Sequence, residues 1–407
     1  MLPKSGRRWT DAHWDARWNA ARPPDQRIFA IAKQRLPALR AVRPCPFPLR
    51  YPDGVPPMND PLTDSAARLF AQHTGKAVLQ SAGRGEFPRA LWDAVAEAGF
   101  TAALLPEAAG GFGATVEEAM ALLNAAAAHA APIPLAETML AGWVLAQAGL
   151  AVPAGVLTIA PVRVRDELQL QSQGDGWHLT GSASRIPWAR DAAFVAVLAT
   201  GPAGPAVAVV PSHGFSVLHG NNLAGEPRDT MLIDALLPAA AVAPAPAGLT
   251  VAHLRAAGAA LRTVQIAGAL TRTLAVSVLY AQTRVQFGKP IGKFQAIQHN
   301  LAILAGQSAA ALAAADMATG ALATGLDPVI TGAAKARAGE AASIAAALAH
   351  QSHGAIGFTQ EYELHYLTRR LWSWRDEFGN EAEWNAVVGR AALAAGPDGL
   401  WPMLTAA

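Results

Sequence analysis

The segment YAQTRVQFGKPIGKFQAIQHN, from Tyr280 to Asn300, ends one long apolar helical pattern and begins another. Tyr280 and Arg284 stand four residues apart, a spacing that places two side chains on one face of a helix. The tetrapeptide Phe287-Gly288-Lys289-Pro290 predicts a break, because glycine is flexible and proline cannot continue the helical hydrogen-bond ladder. The segment therefore predicts a helix, a tight corner and a second helix. A basic residue followed by Gly and Pro also simply ends many helices, so Arg284 alone does not define a site.

Apolar residues repeat at helical spacing on both sides of this corner. The predicted helices cover residues 251–284, 296–319, 328–350 and 362–374. Four helices of these lengths are typical of a four-helix bundle, which we assign to residues 249–407. Alanine-rich seams at 309–315 and 341–347 leave flat apolar faces, so we expect the chain to associate with other subunits.

The middle of the chain, residues 151–248, has a different pattern. Short runs rich in β-branched and aliphatic residues occur at 157–160, 167–171, 177–180, 194–198 and 207–210, between Gly, Pro and Asp turns. This spacing predicts a small antiparallel β domain, and the absence of intervening helical patterns argues against a Rossmann sheet. With helical patterns over residues 58–150, the predicted fold class is α+β: an N-terminal α-helical domain, a middle β domain and a C-terminal bundle.

Composition limits the class of protein. Of 407 residues, 52% are apolar and 15% are charged, and no uninterrupted run of about 18 apolar residues predicts a membrane span. No signal-peptide core is present near the N-terminus, so we expect a cytoplasmic protein. A single cysteine, Cys45, excludes a disulfide framework and a cysteine-based metal site, and we predict no metal.

Residues 1–57 form a basic, proline-rich extension. They contain eleven Lys or Arg against four Asp, a net charge of +7, whereas the whole chain carries +2. Such an arm can contact nucleic acid or a membrane surface. Because the segment is unpatterned and Met58 follows it, we interpret it as an upstream start or a disordered extension and predict no nucleic-acid partner.

A second motif, QSHGAIGFTQEY, runs from Gln351 to Tyr362. Its glycines would let the backbone approach another surface closely, although a helix cap without a ligand has the same composition. This motif and YAxxRxQFGKPIxxFQAIQHxLA together closely resemble two motifs of the acyl-CoA dehydrogenase family. They stand in the family's order, about 65 residues apart.

The resemblance implies a bound FAD. In the family, residues matching Arg284, Gln286, Phe287 and Ile291 reach the pyrophosphate and adenosine side, commonly across a subunit boundary. The resemblance likewise implies FAD contacts in the second motif, at Gln351, His353, Gly354, Ala355 and Gly357, although His353 is open to a second interpretation as a buried helix-end residue.

The middle domain also carries a resemblance. Residues 176–191 match a family segment whose backbone lies along the flavin ring, which implies flavin contacts at Pro187 and Trp188, although a tryptophan here is equally compatible with a core position. The family's usual acidic-Gly-Ser-Asp loop is not present between Ile159 and Gly174.

The implied chemistry requires a carboxylate near the α-carbon of the thioester, to remove a proton while a hydride leaves to the flavin. The resemblance places this Glu at Phe378, just before Gly379, and a second family location falls at Gly258. Neither residue is an acid. Glu377, the neighbour of Phe378, is therefore our candidate base, with Asp376 behind it; an ion pair with Arg375, Arg370 or Arg369 is the alternative.

Several hypotheses follow. The first is an acyl-CoA dehydrogenase that forms the 2,3-enoyl-CoA and passes electrons to an electron-transferring flavoprotein. The second is a base-deficient subunit of a heteromeric dehydrogenase, and the third a flavin-dependent monooxygenase on the same fold. A helical scaffold without a cofactor is the fourth. The resemblance implies a homotetramer, or a heterotetramer with a second dehydrogenase subunit, acting in fatty acid metabolism; the acyl chain itself is not predicted.

Overall fold

The computed structural model describes residues 61–405, so the predicted 1–57 extension and Cys45 lie outside the described residues. Ten α-helices occur in this range. They are α1 Pro61–His73, α2 Lys76–Gly83, α3 Arg89–Glu97, α4 Val116–Ala128, α5 Leu135–Gln147, α6 Val251–Thr283, α7 Gln295–Ala323, α8 Pro328–His353, α9 Leu364–Asp376 and α10 Glu381–Thr405. The last of these is kinked at Gly396, which is followed by Pro397.

The strands fall between α5 and α7. They are β1 Leu157–Ala160, β2 Glu167–Gln173, β3 Gly176–Pro187, β4 Phe194–Gly201, β5 Gly204–Pro211, β6 Phe215–Leu218, β7 Arg228–Pro238, β8 Val242–Pro244, β9 Val285–Gln286 and β10 Lys289–Pro290. The first eight form one sheet in the order β6-β7-β3-β2-β4-β5-β8, with β1 beside β4.

The sheet is mixed, whereas the sequence predicted an antiparallel one. β1 runs parallel to β4 over four residue pairs, and β2 meets β4 in parallel at Gln169 and Thr200. The other pairs are antiparallel. The parallel pairing arises because the chain between β1 and β4 forms the β2–β3 hairpin before it returns to the edge of β1.

Three strands, β6 to β8, were not predicted from the sequence. In β7, Leu232 and Leu236 are exposed while Met231, Ile233, Ala235 and Leu237 are buried, so apolar residues occupy both faces and hide the alternation typical of a half-buried strand. β8 is three residues long and lies in a proline-rich stretch.

Helix α6 is the central helix of the C-terminal region. The Thr250 side chain caps it by accepting a hydrogen bond from the His253 amide, and most of its length is buried. By length and composition α6 and α7 are also apolar enough to cross a membrane, a test that buried core helices pass as well. The most apolar window is 61% buried in α6 but 33% buried in α7, so α7 presents an apolar outer face.

The predicted corner is a two-residue hairpin. Helix α6 ends at Thr283, β9 and β10 pair through Gln286 and Lys289, and α7 begins at Gln295. Phe287 and Gly288 at the tip both have positive φ angles, 49° and 78°, which is what a type I′ turn requires. The Phe287 side chain is 90% exposed.

Candidate functional site

A cavity of about 510 Å³ lies between the sheet and the C-terminal helices. Its wall on the sheet side comes from the segment between β1 and β2 and from β3 and β7, and its wall on the helical side comes from α6 and the segment joining α9 to α10. The lining residues are Val162, Arg163, Val164, Arg165, Arg185, Pro187, Arg228, Arg255, Asp376, Glu377, Phe378, Gly379, Asn380 and Glu383. The resemblance predicts a flavin site beside the β domain, and this cavity lies there.

Phe378 and Gly258, the two positions at which the resemblance places the base, are in van der Waals contact with each other. Phe378 is buried, and its ring lies directly against Gly258 on α6: a Cβ added at Gly258 would come within 2.2 Å of the ring. Phe378 adopts φ 56°, and Gly379 follows with φ 104°. Both positions are therefore apolar in this chain, and the aromatic ring fills the space that a side chain at Gly258 would need.

Glu377 points into a set of hydrogen-bond donors. Its carboxylate accepts hydrogen bonds from Arg228 Nε and Nη2 at 2.8 and 2.9 Å, from Arg262 Nε at 2.8 Å and from Asn222 Nδ2 at 3.1 Å. The side chain is 12% exposed. Burial alone would raise the pKa of Glu377, but the two guanidinium groups outweigh burial and lower this pKa to about 2.

These contacts belong to a longer buried network of alternating charges. Arg262 also pairs with Glu137 on α5 at 2.5 Å, and Arg228 pairs with Glu226 at 3.1 Å. Arg370 on α9 stands 2.9 Å from Glu226 but is not aligned for a hydrogen bond through its Nε. Three arginines and three glutamates thus neutralise one another, and the network ties α5, the sheet, α6 and α9 together.

The network determines what Glu377 can do. A carboxylate that stays ionised down to about pH 2 and accepts hydrogen bonds on both oxygens has little tendency to take a proton. The geometry favours the ion-pair alternative, with Arg228 and Arg262 as partners instead of Arg375, Arg370 or Arg369. Asp376 is exposed, and its carboxylate lies 3.9 Å from Arg375 Nε.

Lys335 on α8 holds the segment that carries Phe378. Its ammonium group donates hydrogen bonds to the carbonyl oxygens of Arg375 and Gly379, at 2.6 and 2.9 Å, and it is fully buried. Burial lowers the pKa of Lys335 to about 8, although Glu381 and Glu377 oppose the effect. The lysine therefore anchors both ends of residues 375–379.

The two sequence motifs meet at one end of the bundle. The Tyr280 ring stacks on His353 with ring centroids 4.5 Å apart and contacts Tyr362 edge-on at 5.7 Å. His353 is buried, and its Nδ1 lies 2.7 Å from the Ala349 carbonyl oxygen. Of the two interpretations of His353, an FAD contact or a buried helix-end residue, the structure matches the second. The end of α6 and the glycine loop after α8 therefore form one surface.

Several residues of this surface are accessible to a ligand. Arg284, Gln286, Gln351, Gly354 and Ala355 are exposed, and among residues 61–405 the Arg284 and Gln286 side chains have no hydrogen-bond or ion-pair partner. Gly354 has φ 65° with open space where a Cβ would stand, so its backbone is accessible. Ile291 and Gly357 are buried and support the hairpin and the loop from below.

Pro187 and Trp188, the two predicted flavin-ring contacts, line different cavities in the structure. Pro187 lines the large cavity, but its carbonyl accepts a hydrogen bond from Thr158 Oγ1. The Trp188 amide donates to the Pro227 carbonyl, its ring packs edge-on against Phe87, and it lines a smaller cavity of about 30 Å³. The Trp188 amide is therefore engaged within the chain, as in the core alternative.

Sequence reasoning missed Arg228, Arg262, Glu137 and Lys335. Arg262 and Lys335 interrupt apolar helical patterns at positions where the neighbouring turns are buried, and this was the available signal. Glu137 and Arg228 carried no comparable signal, because one follows a proline turn and the other begins a strand.

The architecture consists of a helical N-terminal region, a central mixed sheet and a helical C-terminal region. Known proteins with similar sequences have been identified for the chain. The N-terminal domain model of the acyl-CoA dehydrogenases matches residues 59–151, and the C-terminal domain model matches residues 247–382. The acyl-CoA dehydrogenase IpdE2 of Mycobacterium tuberculosis is 30% identical over 314 residues, which cover 76% of this chain and 89% of IpdE2. The chain belongs to the acyl-CoA dehydrogenase family, whose members are oxidoreductases.

Solved structures share the whole described fold. A variant of the Tcur3481-Tcur3483 steroid ACAD is 27% identical with a TM-score of 0.73, covering 83% of this chain and 98% of that one. The ChsE4-ChsE5 complex from Mycobacterium tuberculosis has the same TM-score at 23% identity, covering 83% and 97%. The second likeness concerns the fold alone.

Proposed function

We propose that this chain is the base-deficient subunit of a heteromeric, FAD-dependent acyl-CoA dehydrogenase that oxidises an acyl-CoA thioester to its 2,3-enoyl form. In this assembly a second dehydrogenase-family subunit supplies the carboxylate that removes the α-proton. An electron-transferring flavoprotein is the proposed electron acceptor.

One observation carries the proposal. Phe378 packs on Gly258, so neither position that the resemblance assigns to a base carries an acid, and the Phe378 ring fills the space that a side chain at Gly258 would need. The nearest acid, Glu377, is held by Arg228 and Arg262 and has a pKa of about 2. A thioester bound beside Phe378 would therefore meet no group on this wall that is suited to accept its α-proton.

The proposed contribution of the chain to the assembly is cofactor binding. Bound FAD would supply the hydride acceptor for the β-carbon of the thioester. Arg284 and Gln286 on the hairpin, with Gln351 and the backbone of Gly354 on the neighbouring loop, would hold the dinucleotide of the partner subunit. Two heteromeric or paired names among the relatives, Tcur3481-Tcur3483 and ChsE4-ChsE5, support a paired assembly.

The test is purification of the chain alone and together with dehydrogenase-family chains of its own genome, beginning with genomic neighbours. Flavin content is read from the visible spectrum, and substrate oxidation from bleaching of that spectrum by a panel of acyl-CoA thioesters. We expect bleaching only in the co-purified complex. Replacing the partner's candidate carboxylate by its amide should abolish the bleaching, whereas Asp376→Asn in this chain should not.

The opposite result is equally clear. Bleaching by the chain alone, lost in Glu377→Gln while the far-UV circular dichroism stays unchanged, would contradict the proposal and make Glu377 the base of a self-sufficient dehydrogenase. The Asp376→Asn variant is the matched control, because it removes a neighbouring carboxylate that is exposed and not part of the buried network.

A further inference from the structure

Three arginines at the mouth of the large cavity have no role in the buried network. Arg163 and Arg165 lie between β1 and β2, Arg185 lies near the end of β3, and all three side chains are exposed and line the cavity. None of them makes a side-chain hydrogen bond or ion pair with another residue of the described range 61–405. Arg163 and Arg165 lie in the region, between Ile159 and Gly174, where the sequence lacks the acidic-Gly-Ser-Asp loop.

Arg185 is aimed at the cavity by a local distortion of the sheet. The pairing of β3 with β7 shifts register between Ala183 and Ile186, and Arg185 at this bulge has φ 60°. Bulges re-aim side chains, and a left-handed conformation in a residue other than glycine costs about 1 kcal/mol or more, which native structures tolerate mainly at functional sites. Without the bulge the strand would alternate regularly and direct this side chain away from its present position.

A short polar clamp holds the two arginine-bearing segments side by side. The Asp166 carboxylate accepts hydrogen bonds from the Ser184 amide and from Ser184 Oγ, both at 3.0 Å. Arg165 and Arg185 are the chain neighbours of these two residues, so the clamp fixes their spacing. Within the described residues Asp166 forms these two hydrogen bonds and no ion pair with the three arginines.

The other acids of the cavity are also engaged. Glu377 pairs with Arg228 and Arg262, and Glu383 pairs with Arg255 at 2.6 Å. Arg255 adds a further unsatisfied donor, because its Nε is buried without a hydrogen-bond partner. Among the described residues that line the cavity, Arg163, Arg165 and Arg185 therefore remain as guanidinium groups without an ion-pair partner.

We infer that Arg163, Arg165 and Arg185 form a phosphate-binding subsite at the mouth of this cavity. Guanidinium groups bind phosphate through paired, charge-assisted hydrogen bonds, and three of them match a multiply charged anion better than a single carboxylate. The two phosphate-bearing ligands that the proposed function supplies are coenzyme A thioester and FAD. The choice of coenzyme A and FAD as the ligands rests on the proposed function. The binding of a phosphate group by the three arginines does not.

The experiment measures equilibrium binding without turnover. Isothermal titration calorimetry with coenzyme A, FAD and pantetheine is carried out on the complete chain, and on its complex if one forms, at two salt concentrations. The variants are Arg185→Gln and the double variant Arg163→Gln/Arg165→Gln. Arg390→Gln is the matched control, because Arg390 is an exposed arginine on α10 that does not line the cavity.

We expect each cavity variant to weaken binding of one phosphate-bearing ligand by about tenfold or more, as the loss of a charge-assisted hydrogen bond predicts. Weakened binding of coenzyme A with unchanged FAD assigns the subsite to the thioester, and the reverse assigns it to the dinucleotide. Pantetheine, which lacks phosphates, should bind the wild type and the variants alike, and Arg390→Gln should change nothing. Melting temperatures of the variants check that the chain remains folded.

Unchanged affinity of both cavity variants for both nucleotides would overturn the inference. Glutaryl-CoA and butyryl-CoA are titrated in the same way, and an effect confined to glutaryl-CoA, whose acyl group carries a carboxylate, would also overturn the inference. Neither result depends on catalysis, so a failure of the proposed function, seen as missing bleaching in every complex, is distinguishable from a failure of this inference.

Discussion

Glu377 shows how neighbouring charges decide the chemistry of a buried acid. A carboxyl group that loses its water without gaining a partner is driven toward the neutral form, which is how many enzymes prepare a general base. Here Arg228 and Arg262 compensate the lost hydration, so the pKa moves down to about 2. The same burial that would make a base therefore makes an ion pair.

Glu377→Gln should lower the free energy of unfolding by about 3–5 kcal/mol at pH 7, because two buried guanidinium groups lose their shared partner. The folded-state pKa of about 2 lies below the ordinary value of 4.5, so the stabilisation is complete above about pH 4.5 and is lost as the pH falls toward 2. Urea unfolding of the wild type and the variant at several pH values between 2 and 7 measures this. Their stabilities should converge in acid.

The control for this measurement is Asp376→Asn, which should change the stability by no more than about 0.5 kcal/mol because Asp376 is exposed. A Glu377→Gln variant as stable as the wild type at pH 7 would contradict the role of the buried network.

Phe378→Glu should introduce the missing base. The carboxylate would stand beside Gly258 on the inner wall. The Arg262 guanidinium lies 5.4 Å from the present ring centroid but is already paired with Glu137 and Glu377, so it is not free to neutralise the new carboxylate. Even a weak base should accelerate exchange of the thioester α-proton with deuterated water at least tenfold over the wild type, since general bases contribute about 10²–10⁴-fold. Mass spectrometry of the recovered thioester measures the exchange without any flavin step.

Phe378→Gln is the matched control, because it has the same shape as the glutamate and no basic oxygen. Equal exchange in the Glu and Gln variants would show that the effect comes from opening the cavity and would contradict the assignment of this wall to the α-carbon.

At the scale of elements, Lys335 couples α8 to the segment between α9 and α10. The folded-state pKa of about 8 lies below the ordinary 10.5, so the folded protein is penalised while the lysine is charged in both states. Stability from this group should therefore rise as the pH increases from about 8 to 10.5, by about 3 kcal/mol. Lys335→Met should lack this rise, which thermal or urea unfolding across that range measures.

Lys293→Met is the control for Lys335, because Lys293 is exposed on the short turn before α7 and its removal should leave the pH dependence unchanged. A Lys335→Met variant with the wild-type rise would show that other groups cause it.

The elements themselves were largely predictable from the sequence. The long helices follow from helical periodicity, and the strands from 157 to 211 follow from short runs of β-forming residues between turn residues. The edge of the sheet was not predictable: β7 carries Leu232 and Leu236 on its exposed face, so its sequence lacks the polar alternation of a solvated strand. Pairing of β1 with β4 depends on which strands meet in space, and local sequence does not contain that information.

The site was predictable to a smaller extent. The hairpin and the glycine loop have local signatures, and the structure brings them together through Tyr280 and His353. The partners of Glu377 come from positions 115 and 149 residues away along the chain, at Arg262 and Arg228. Packing decides which charges neutralise one another across such separations. The sequence therefore predicted an acid near the site, but not the ion pairs that keep Glu377 from accepting a proton.

At the scale of the whole molecule, the hairpin tip stands out because it stays exposed although the Phe287 ring lies edge-on to Phe294, with ring centroids 6.1 Å apart. Phe287 is 90% exposed and adopts a positive φ of 49°, so the chain holds an aromatic side chain in water and in a strained conformation. Phe287→Asp should therefore change the stability of the isolated chain by about 0.5 kcal/mol or less. In the assembly, the proposed function has the neighbouring Arg284 and Gln286 hold the partner's dinucleotide, so we expect Phe287 to lie at the subunit boundary as well. The same change should therefore reduce oligomer formation and flavin retention at least tenfold. Light scattering coupled to size-exclusion chromatography measures the first, and the absorbance ratio of flavin to protein measures the second.

Leu393→Asp on α10 is the matched control, since Leu393 is 84% exposed and lies on another element. A Phe287→Asp protein that assembles and keeps its flavin as the wild type does would remove the hairpin from the subunit boundary.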